Sequence, residues 1–233
     1  MSKVMPTSIL IIGSTGPAGQ AIAKELSDRP NPPTLHAFCR DPSKLKEDPA
    51  HNGMYSSIVK GDATIKDDLV RAIDETEVDT IIVAVGKGHY LGKQSIRTDN
   101  AKALISALHS DPRFDHIRVA VLSSQGAGPT KIVAGYGIGL LIGYMLRNVM
   151  KDHTKQEKLL RSNIGKNSLL IVRPVSLTEG KPPAKEIVEF GNTVKAPKMT
   201  IDRSDVARFM VKEMFNNGWG EAFNICGVNK KKY

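Results

Sequence analysis

A short apolar strand that runs directly into a glycine-rich turn is the feature that most constrains this fold. The run Ser8–Ile12 contains three isoleucines and a leucine, which is typical of a strand buried on both faces of a parallel sheet. The turn Gly13–Gly19 follows, and helical spacing then extends over Gln20–Asp28 until Pro30 and the prolines after it end the helix. Strand, tight turn and helix in this order predict the first βα unit of an α/β fold.

Strands and helices alternate along nearly the whole chain. Apolar runs predict further strands at Thr34–Cys39, Ser56–Val59, Thr80–Gly86, Arg118–Leu122, Leu169–Pro174 and Glu221–Cys226. Helical spacing predicts helices at Lys66–Glu75, Asp99–Ser110, Lys155–Ser162 and Ser204–Asn216, with a turn or short helix at Pro42–Leu45 and a cap at Asp202/Ser204. The pattern predicts a doubly wound parallel sheet with helices on both faces, formed by residues 1–233 as a single domain.

The segment Ile132–Met150 breaks this alternation, because Arg147 is its one charged residue. It has the length of a minimal membrane span, and Gly139 and Gly143 form a small-xxx-small pattern. A true span would split the predicted sheet, since strands are predicted on both sides of it. We interpret residues 131–150 as an apolar loop and helix that serves as a lid over the active-site mouth or as an interface. Ordinary core and a membrane-surface contact are the alternatives.

The charge balance bears on the partners of the chain. Lysine and arginine number 33 against 24 aspartates and glutamates, which gives a formal charge of +9. Nucleic acid suits such a charge, but the basic residues are scattered and aromatic residues make up 5% of the chain, so few rings could stack on bases. An anionic small molecule such as a phosphorylated cofactor explains part of the charge more simply. The run Lys230–Lys232 is interpreted as a solvated tail.

Cysteine and histidine usage gives no metal signal. Cys39 and Cys226 form no CxxC pair, and the histidines lack metal-ligand spacing, so we predict no metal site. The first residues, Met1–Ser8, contain no signal-peptide core. We therefore expect a reduced, cytoplasmic protein.

The turn Gly13–Gly19 stands where a dinucleotide fingerprint must stand, between a buried strand and a helix. Gly13 allows the tight turn, Gly16 lets the backbone approach a pyrophosphate, and Gly19 lets the helix pack closely on the sheet. The helix N-terminus adds N–H donors and a partial positive charge. The predicted cofactor contacts are Gly13, Ser14, Thr15, Gly16, Pro17, Ala18 and Gly19. A glycine-rich turn without a ligand is the alternative.

The end of the second predicted strand bears on the choice between NAD and NADP. NAD sites carry an acidic residue about 20 residues after the glycines, whereas NADP sites carry an arginine for the 2′-phosphate. Arg40 and Lys44 therefore favour NADP(H), unless the side chain of Asp41 faces the ribose. Asp62, beside Ala63, is predicted to accept a hydrogen bond from the adenine amino group, or alternatively to cap the next helix.

The fourth and fifth predicted strands end in small residues. Ala84, Val85 and Gly86 would let the cofactor ribose lie against the backbone. Ser123 and Ser124 follow the fifth strand, at the carboxyl edge of the sheet where α/β proteins bind ligands. A serine hydroxyl there can polarise a substrate carbonyl, and a turn or capping serine is the equal alternative.

Taken together, these residues resemble the atypical short-chain dehydrogenases/reductases, in their NAD(P)-binding, NmrA-like branch, and within it the flavin reductase/biliverdin reductase B type. The matching features are Gly13–Gly19, Arg40–Lys44, Gly61–Asp62, Ser123–Ser124, Asp152–Arg161 and Ile171–Pro174. The resemblance covers essentially the whole chain. It implies a Rossmann-type fold that holds NADP(H), with the nicotinamide near Ser123, Ser124, Pro174 and Val175. It also implies hydride transfer to a flat conjugated acceptor such as a flavin, quinone or tetrapyrrole, by a monomer or a homodimer.

One departure from the family pattern concerns its Tyr-x-x-x-Lys motif. Lys155 can be the lysine that binds the nicotinamide ribose, but Lys151 stands in the place of the tyrosine. We predict Ser124, His153 and Lys155 as catalytic residues. His153 would donate the proton, or alternatively lies at a helix start and pairs with Glu157 one turn on. Two functions stay open, an NADP(H)-dependent reductase and a non-catalytic NADP(H)-binding sensor or scaffold, with a lyase or isomerase on the same fold as a third.

Overall fold

The computed structural model describes residues 5–46, 53–86, 88, 90–133 and 138–228. Ten strands are described: β1 (Ser8–Ile12), β2 (Thr34–Cys39), β3 (Ser57–Lys60), β4 (Thr80–Val83), β5 (Arg118–Leu122), β6 (Leu169–Pro174), β7 (Ser176–Thr178), β8 (Glu186–Glu189), β9 (Thr200–Asp202) and β10 (Ala222–Val228). The described α-helices are α1 (Pro17–Ser27), α2 (Ser43–Lys46), α3 (Lys66–Thr76), α4 (Ile96–Leu108), α5 (Ile138–Asn163) and α6 (Arg203–Asn216). The predicted tail at residues 230–232 and residues 134–137 of the apolar segment lie outside the described residues.

The main sheet confirms the predicted doubly wound architecture. Its eight strands follow the order β3-β2-β1-β4-β5-β6-β10-β8, and its first six positions have the order of a Rossmann fold. All neighbouring strands are parallel except β8, which runs antiparallel to β10. Helices α1 and α6 cover one face, and α3, α4 and α5 cover the other.

Burial on both faces of β1 explains why its four residues from Ile9 to Ile12 are all apolar. Ile9 and Ile11 point into the core that includes α1 and α6, whereas Leu10 and Ile12 point into the core that includes α3 and α4. Successive side chains of a strand point to opposite faces. Because both faces of this sheet are covered, each of the four fully buried positions of the strand is apolar.

The short strands beyond β6 were not predicted. Strands β7 and β9 form a separate parallel pair, and β8 adds an antiparallel edge to the main sheet. Three or four residues are too few to show an alternating pattern. The predicted cap of α6 is confirmed, because Asp202 Oδ1 accepts a hydrogen bond of 3.0 Å from the Ser204 N–H.

The helix predicted at Lys155–Ser162 is present, but it is part of a longer helix, and the predicted helix start near His153 is wrong. Helix α5 runs without a break from Ile138 to Asn163, since no proline interrupts it. The second half of the apolar segment therefore forms the first turns of α5. Within the residues described here, no helix has the length and apolarity to cross a membrane.

Asp152 lies in the middle of α5 and caps a different helix, α4. Its Oδ2 accepts the Arg97 N–H at 3.1 Å, and its Oδ1 accepts the Thr98 N–H at 3.0 Å and the Thr98 hydroxyl at 2.7 Å. The residue at the N-cap itself, Ser95, makes no side-chain cap and donates its hydroxyl to Asp99 instead. The start of α4 is thus fixed by a buried carboxylate from its neighbour, which satisfies backbone donors that would otherwise be orphaned.

We expect Asp152→Ala to lower the free energy of unfolding by about 2–4 kcal/mol, because it leaves two backbone donors without their charged acceptor. Chemical denaturation monitored by circular dichroism measures the loss. The matched control is Asp99→Ala, because the Asp99 side chain in the first turn of α4 is 42% exposed. This change should cost less than about 1 kcal/mol. Equal losses for the two variants would contradict the capping role of Asp152.

Candidate cofactor site

The turn between β1 and α1 packs too closely for any side chain at two of its glycines. Gly13 has a φ of +93°, and a Cβ there would lie 2.6 Å from the Ala84 carbonyl oxygen. A Cβ on Gly19 would overlap the Gly13 carbonyl oxygen. Helix α1 then begins after Gly16 with Pro17 in its first turn and no side-chain cap. The first turn therefore presents backbone N–H donors of the kind that bind phosphate.

A cleft of about 140 Å³ lies between this turn and the carboxyl ends of β2, β3 and β4. Nine of the predicted cofactor residues line it: Gly13, Thr15, Gly16, Arg40, Asp62, Ala63, Ala84, Val85 and Gly86. Four residues that sequence reasoning missed line it too: Phe38, Cys39, Gly61 and Ile96. Phe38 and Cys39 end β2, and Gly61 directly precedes Asp62. Their position at the carboxyl edge of the sheet could have identified them as cleft residues. Ile96 gave no such signal, because the start of α4 was placed three residues too late.

Some predicted cofactor residues do not line the cleft; they either support its wall or lie in another part of the fold. Ser14 is buried, and its hydroxyl donates to the Phe38 carbonyl at 3.3 Å. Gly19 lies behind the turn, where it sets the approach of α1. Pro174 ends β6 on the far side of β5, Val175 follows it, and both are buried. Their backbones bond to the neighbouring segments, through Gln125 N–H to the Pro174 carbonyl at 2.9 Å and Val175 N–H to β10 at 3.1 Å.

Arg40 and Asp41, at the end of β2, have different surroundings. Arg40 is exposed and lines the cleft. The carboxylate of Asp41 accepts the Ser43 hydroxyl at 2.6 Å and the Ser43 N–H at 3.2 Å. These hydrogen bonds, chiefly the one from the Ser43 hydroxyl, hold the pKa of Asp41 below its usual value. Asp41 thus stabilises the turn that opens α2, while Lys44 is exposed in the same turn.

Asp62 lines the cleft and also makes a local turn. Its Oδ1 accepts the Thr64 N–H at 2.8 Å and the Thr64 hydroxyl at 2.7 Å. These two hydrogen bonds outweigh the desolvation of the carboxyl, and with the nearby charge of Arg40 they lower the pKa of Asp62. Because Asp62 is ionised and faces the cleft beside a cation, it can accept a hydrogen bond from a ligand there. It does not cap α3, whose N-cap is Ile65.

A buried network lies beneath the end of β5. The Ser123 hydroxyl donates to Glu157 Oε1 at 2.6 Å, and the same carboxylate receives Nε and Nη2 of Arg173 at 2.9 and 2.6 Å. The Arg173 and Glu157 side chains are each 2% exposed. A buried bidentate pair of this kind is stable only while both partners remain. Sequence reasoning assigned Arg173 no role and considered Glu157 only as a partner of His153, although an arginine within an apolar strand signals a buried partner.

His153 lies on the buried face of α5, close to this network. Its Nδ1 is 3.5 Å from the Ser123 hydroxyl oxygen. Desolvation, followed by the positive charge of nearby Arg97, lowers the pKa of His153 well below its ordinary value. The imidazole is therefore neutral at physiological pH. Glu157 pairs with Arg173 and Ser123 rather than with His153, which differs from the alternative considered from sequence.

The other two predicted catalytic residues are accessible. Ser124 is half-buried, and its hydroxyl donates to the Gln125 carbonyl at 3.2 Å. Lys155 and Lys151 are exposed on the solvent face of α5, opposite His153. In the part of the chain that the structure describes, no hydrogen bond joins Lys155 to Ser124 or His153. The structure thus brings Ser123 and His153 together, and leaves Lys155 apart from them.

The cleft, the glycine turn and the strand order together have the form of a dinucleotide site, and comparison with known sequences agrees. The sequence profile described as NAD(P)H-binding matches residues 13–217. The chain belongs to this NAD(P)H-binding family. The match includes the whole glycine turn and ends just past α6. A comparison with curated proteins gives no match.

Solved structures similar to this NAD(P)H-binding protein share its fold over almost the full chain. The oxidoreductase ylbE from Lactococcus lactis has a TM-score of 0.71 at 20% identity, covering 95% of this chain and 91% of its own. The anaerobillin reductase ChuY from Escherichia coli has a TM-score of 0.69 at 14% identity, with 97% and 99% covered. A short-chain dehydrogenase/reductase from Veillonella parvula in complex with NADP has a TM-score of 0.67 at 15% identity, with 98% and 99% covered.

The buried state of His153 predicts an acid-dependent loss of stability in this NAD(P)H-binding protein. Unfolding returns its lowered pKa to the ordinary 6.5, so below that pH the unfolded chain binds more protons than the native one. The free energy of unfolding should fall by up to about 1.4 kcal/mol per pH unit between about pH 6.5 and pH 5 on account of this residue. His153→Asn should remove that slope, and denaturation at several pH values measures it.

The control for this prediction is His116→Asn, because His116 is exposed. It should leave the slope unchanged. Some slope should remain in the His153→Asn protein, since burial also lowers the pKa of His36. An unaltered slope in the His153→Asn protein would contradict the buried, neutral state of this side chain.

Proposed function

We propose that the protein is an NADP(H)-dependent reductase that transfers hydride to a flat conjugated acceptor such as a flavin, a quinone or a tetrapyrrole. The observation that carries this proposal is the pairing of a dinucleotide cleft with Arg40 on its wall. Asp41, the residue that would favour NAD, is held by Ser43 in the turn of α2. A guanidinium at the end of β2 suits a 2′-phosphate, which it can bind through two parallel hydrogen bonds.

Different residues of the chain would bind different parts of the cofactor. The start of α1 would bind the pyrophosphate, Arg40 and Lys44 the 2′-phosphate, and Asp62 the adenine amino group. The backbone of Val85 and Gly86 would pack against a ribose. Bound NADPH supplies the hydride, and the protein supplies position and electrostatics.

On the acceptor side, Ser124 is the hydroxyl best placed to bind a substrate. It is half-buried at the carboxyl edge of β5, whereas the Ser123 hydroxyl is committed to Glu157. The resembled family assigns the nicotinamide ribose to Lys155, but that side chain is exposed on the solvent face of α5 and would have to turn towards the cofactor. Neutral His153 would support Ser123 from below. Reduction of a flavin needs no strong acid from the protein, because water can supply the proton. The anaerobillin reductase and the NADP complex among the similar structures support this reaction class.

A non-catalytic NADP(H)-binding sensor or scaffold is the second candidate, and two observations favour it. Lys151 replaces the tyrosine that carbonyl reductases of the resembled family use as proton donor. The neutral His153 imidazole and the Ser123 hydroxyl are both buried, so neither reaches a substrate directly. For either function we propose a cytoplasmic location, which suits the two free cysteines, Cys39 and Cys226.

Titration with NADPH, followed by oxidation assays, separates the two functions. The purified protein is titrated by nicotinamide fluorescence, and NADPH consumption is then followed with FMN, a quinone and biliverdin. The reductase proposal expects tight binding and turnover with at least one acceptor. Tight binding without turnover across the panel would favour the sensor, and absence of binding would contradict both.

Arg40→Ala tests the cofactor assignment. We expect NADPH binding to weaken by about 1.5–3 kcal/mol, as for a lost charge-assisted hydrogen bond, with NADH binding nearly unchanged. Calorimetric titration with both cofactors measures the difference. The control Arg161→Ala removes an exposed arginine at the end of α5 and should alter neither affinity. Equal loss of affinity for NADPH and NADH would contradict the proposal that Arg40 binds the 2′-phosphate.

A further inference from the structure

The first turns of α5 carry large apolar side chains that no described part of the fold covers. Leu141, Tyr144 and Met145 are 61%, 64% and 55% exposed. Leu91, in the connection between β4 and α4, is 42% exposed, and Asn148 holds it beside α5 by donating to its carbonyl at 3.3 Å. We call these four side chains, Leu141, Tyr144, Met145 and Leu91, the apolar tip. Single exposed apolar residues are common, but a cluster of them marks an interaction surface.

The solvent face of α5 becomes basic immediately beyond the apolar tip. Arg147 and Lys151 are exposed, and the Arg147 guanidinium stacks on the Tyr144 ring at 4.4 Å. We call these two cations the basic collar. The acidic residues of α5, Asp152 and Glu157, are both buried and engaged by α4 and β6. The exposed face of the helix therefore presents positive charge with no acidic residue to balance it.

The spacing of the apolar tip and the basic collar along α5 matches the apolar and phosphate layers of a lipid surface. At about 1.5 Å per residue, the collar at Lys151 stands roughly 9 Å behind Met145 along the helix. Apolar faces of interfacial helices enter a bilayer to a depth of about 5–10 Å. An immersed tip would therefore leave Lys151 near the level of the phosphates. Arg147 lies only about 3 Å behind Met145 along the helix, but its long side chain can extend the guanidinium to the same level. An aromatic ring at the boundary, here Tyr144, is typical of such interfaces.

We propose that the apolar tip and basic collar dock this protein on the surface of an anionic lipid bilayer. A second copy of the chain fits this surface less well. A two-fold contact places the same patch on both sides, so one interface would hold the cations of both collars with no acidic residue of α5 to balance them. The formal charge of +9 adds long-range attraction to an anionic surface. This docking does not depend on the proposed reductase activity.

Docking would also bring lipid close to the predicted acceptor side. Met150, five residues after Met145 on α5, reaches the loop that follows β5, since a Cβ built on Gly126 would lie 3.0 Å from its sulfur. If the proposed reductase function holds, an apolar acceptor dissolved in the bilayer is the substrate class that this placement favours. NADPH affinity is measured separately on the same preparations, so a failure of docking is distinguishable from a failure of cofactor binding.

Vesicle flotation with the full chain tests the docking. We expect binding to phosphatidylcholine vesicles that contain phosphatidylserine, weaker binding at high salt, and little binding to pure phosphatidylcholine. The collar variant Arg147→Glu/Lys151→Glu should bind at least about 30-fold more weakly, and the tip variant Leu141→Ser/Tyr144→Ser/Met145→Ser should lose binding. Circular dichroism and NADPH affinity verify that each variant is folded.

Matched controls come from exposed residues away from α5. Val194→Ser removes a 54% exposed apolar side chain, and Lys212→Glu reverses an exposed charge on α6, across the sheet from α5. Both should bind vesicles as the unaltered protein does.

A fluorophore reports directly whether the tip enters lipid. Cys39 and Cys226 are the chain's only cysteines, and both are buried, so Met145→Cys offers one accessible thiol for an environment-sensitive dye. The emission should shift to the blue on adding anionic vesicles, and the same dye on Val194→Cys should not respond. Equal binding of neutral and anionic vesicles would overturn the proposal, as would full binding by the tip or collar variant. A dimer in sedimentation that the tip variant abolishes, without vesicle binding, would assign the surface to a second copy.

Discussion

The close approach of α1 to the ends of β1 and β4 is the constraint on which the rest of the site depends. It requires glycine twice: a Cβ on Gly13 would strike the Ala84 carbonyl, and one on Gly19 would strike the Gly13 carbonyl. The approach aims the uncapped start of α1 along the carboxyl edge of the sheet. The apolar strands hold that edge in place because both of their faces are buried. The cleft, with Arg40 on its wall, follows from this geometry.

Helix α5 organises the opposite side of the site through two buried carboxylates. Asp152 holds the start of α4, and Glu157 holds Arg173 on β6 together with the hydroxyl of Ser123. Burying these charges is costly unless every partner remains in place, so the two contacts fix α5 in position and rotation. Because both acidic residues of α5 point into the protein, the side chains on its solvent face are basic and apolar. One helix thereby supports the carboxyl edge of the sheet and presents the proposed membrane contact.

The sequence allowed the central sheet and the glycine turn to be predicted, because both depend on local patterns. Continuous apolar runs specify buried parallel strands, and Gly13–Gly19 specifies the first crossover. The course of α5 could not be derived, since the apolar segment before Met150 fits a loop, a helix or a lid equally well. The role of Asp152 was also hidden, because its partner Thr98 lies 54 residues away. Strand β8, of four residues, is too short to show a period.

The most direct test of the central claim is the affinity of the cleft for two fragments, adenosine 2′,5′-bisphosphate and adenosine 5′-monophosphate, measured by calorimetry. They differ only in the phosphate that Arg40 is proposed to bind. We expect the bisphosphate to bind at least about tenfold more tightly than the monophosphate, because Arg40 would make one additional charge-assisted contact. Equal affinities, or tighter binding of the monophosphate, would contradict an NADP(H) site.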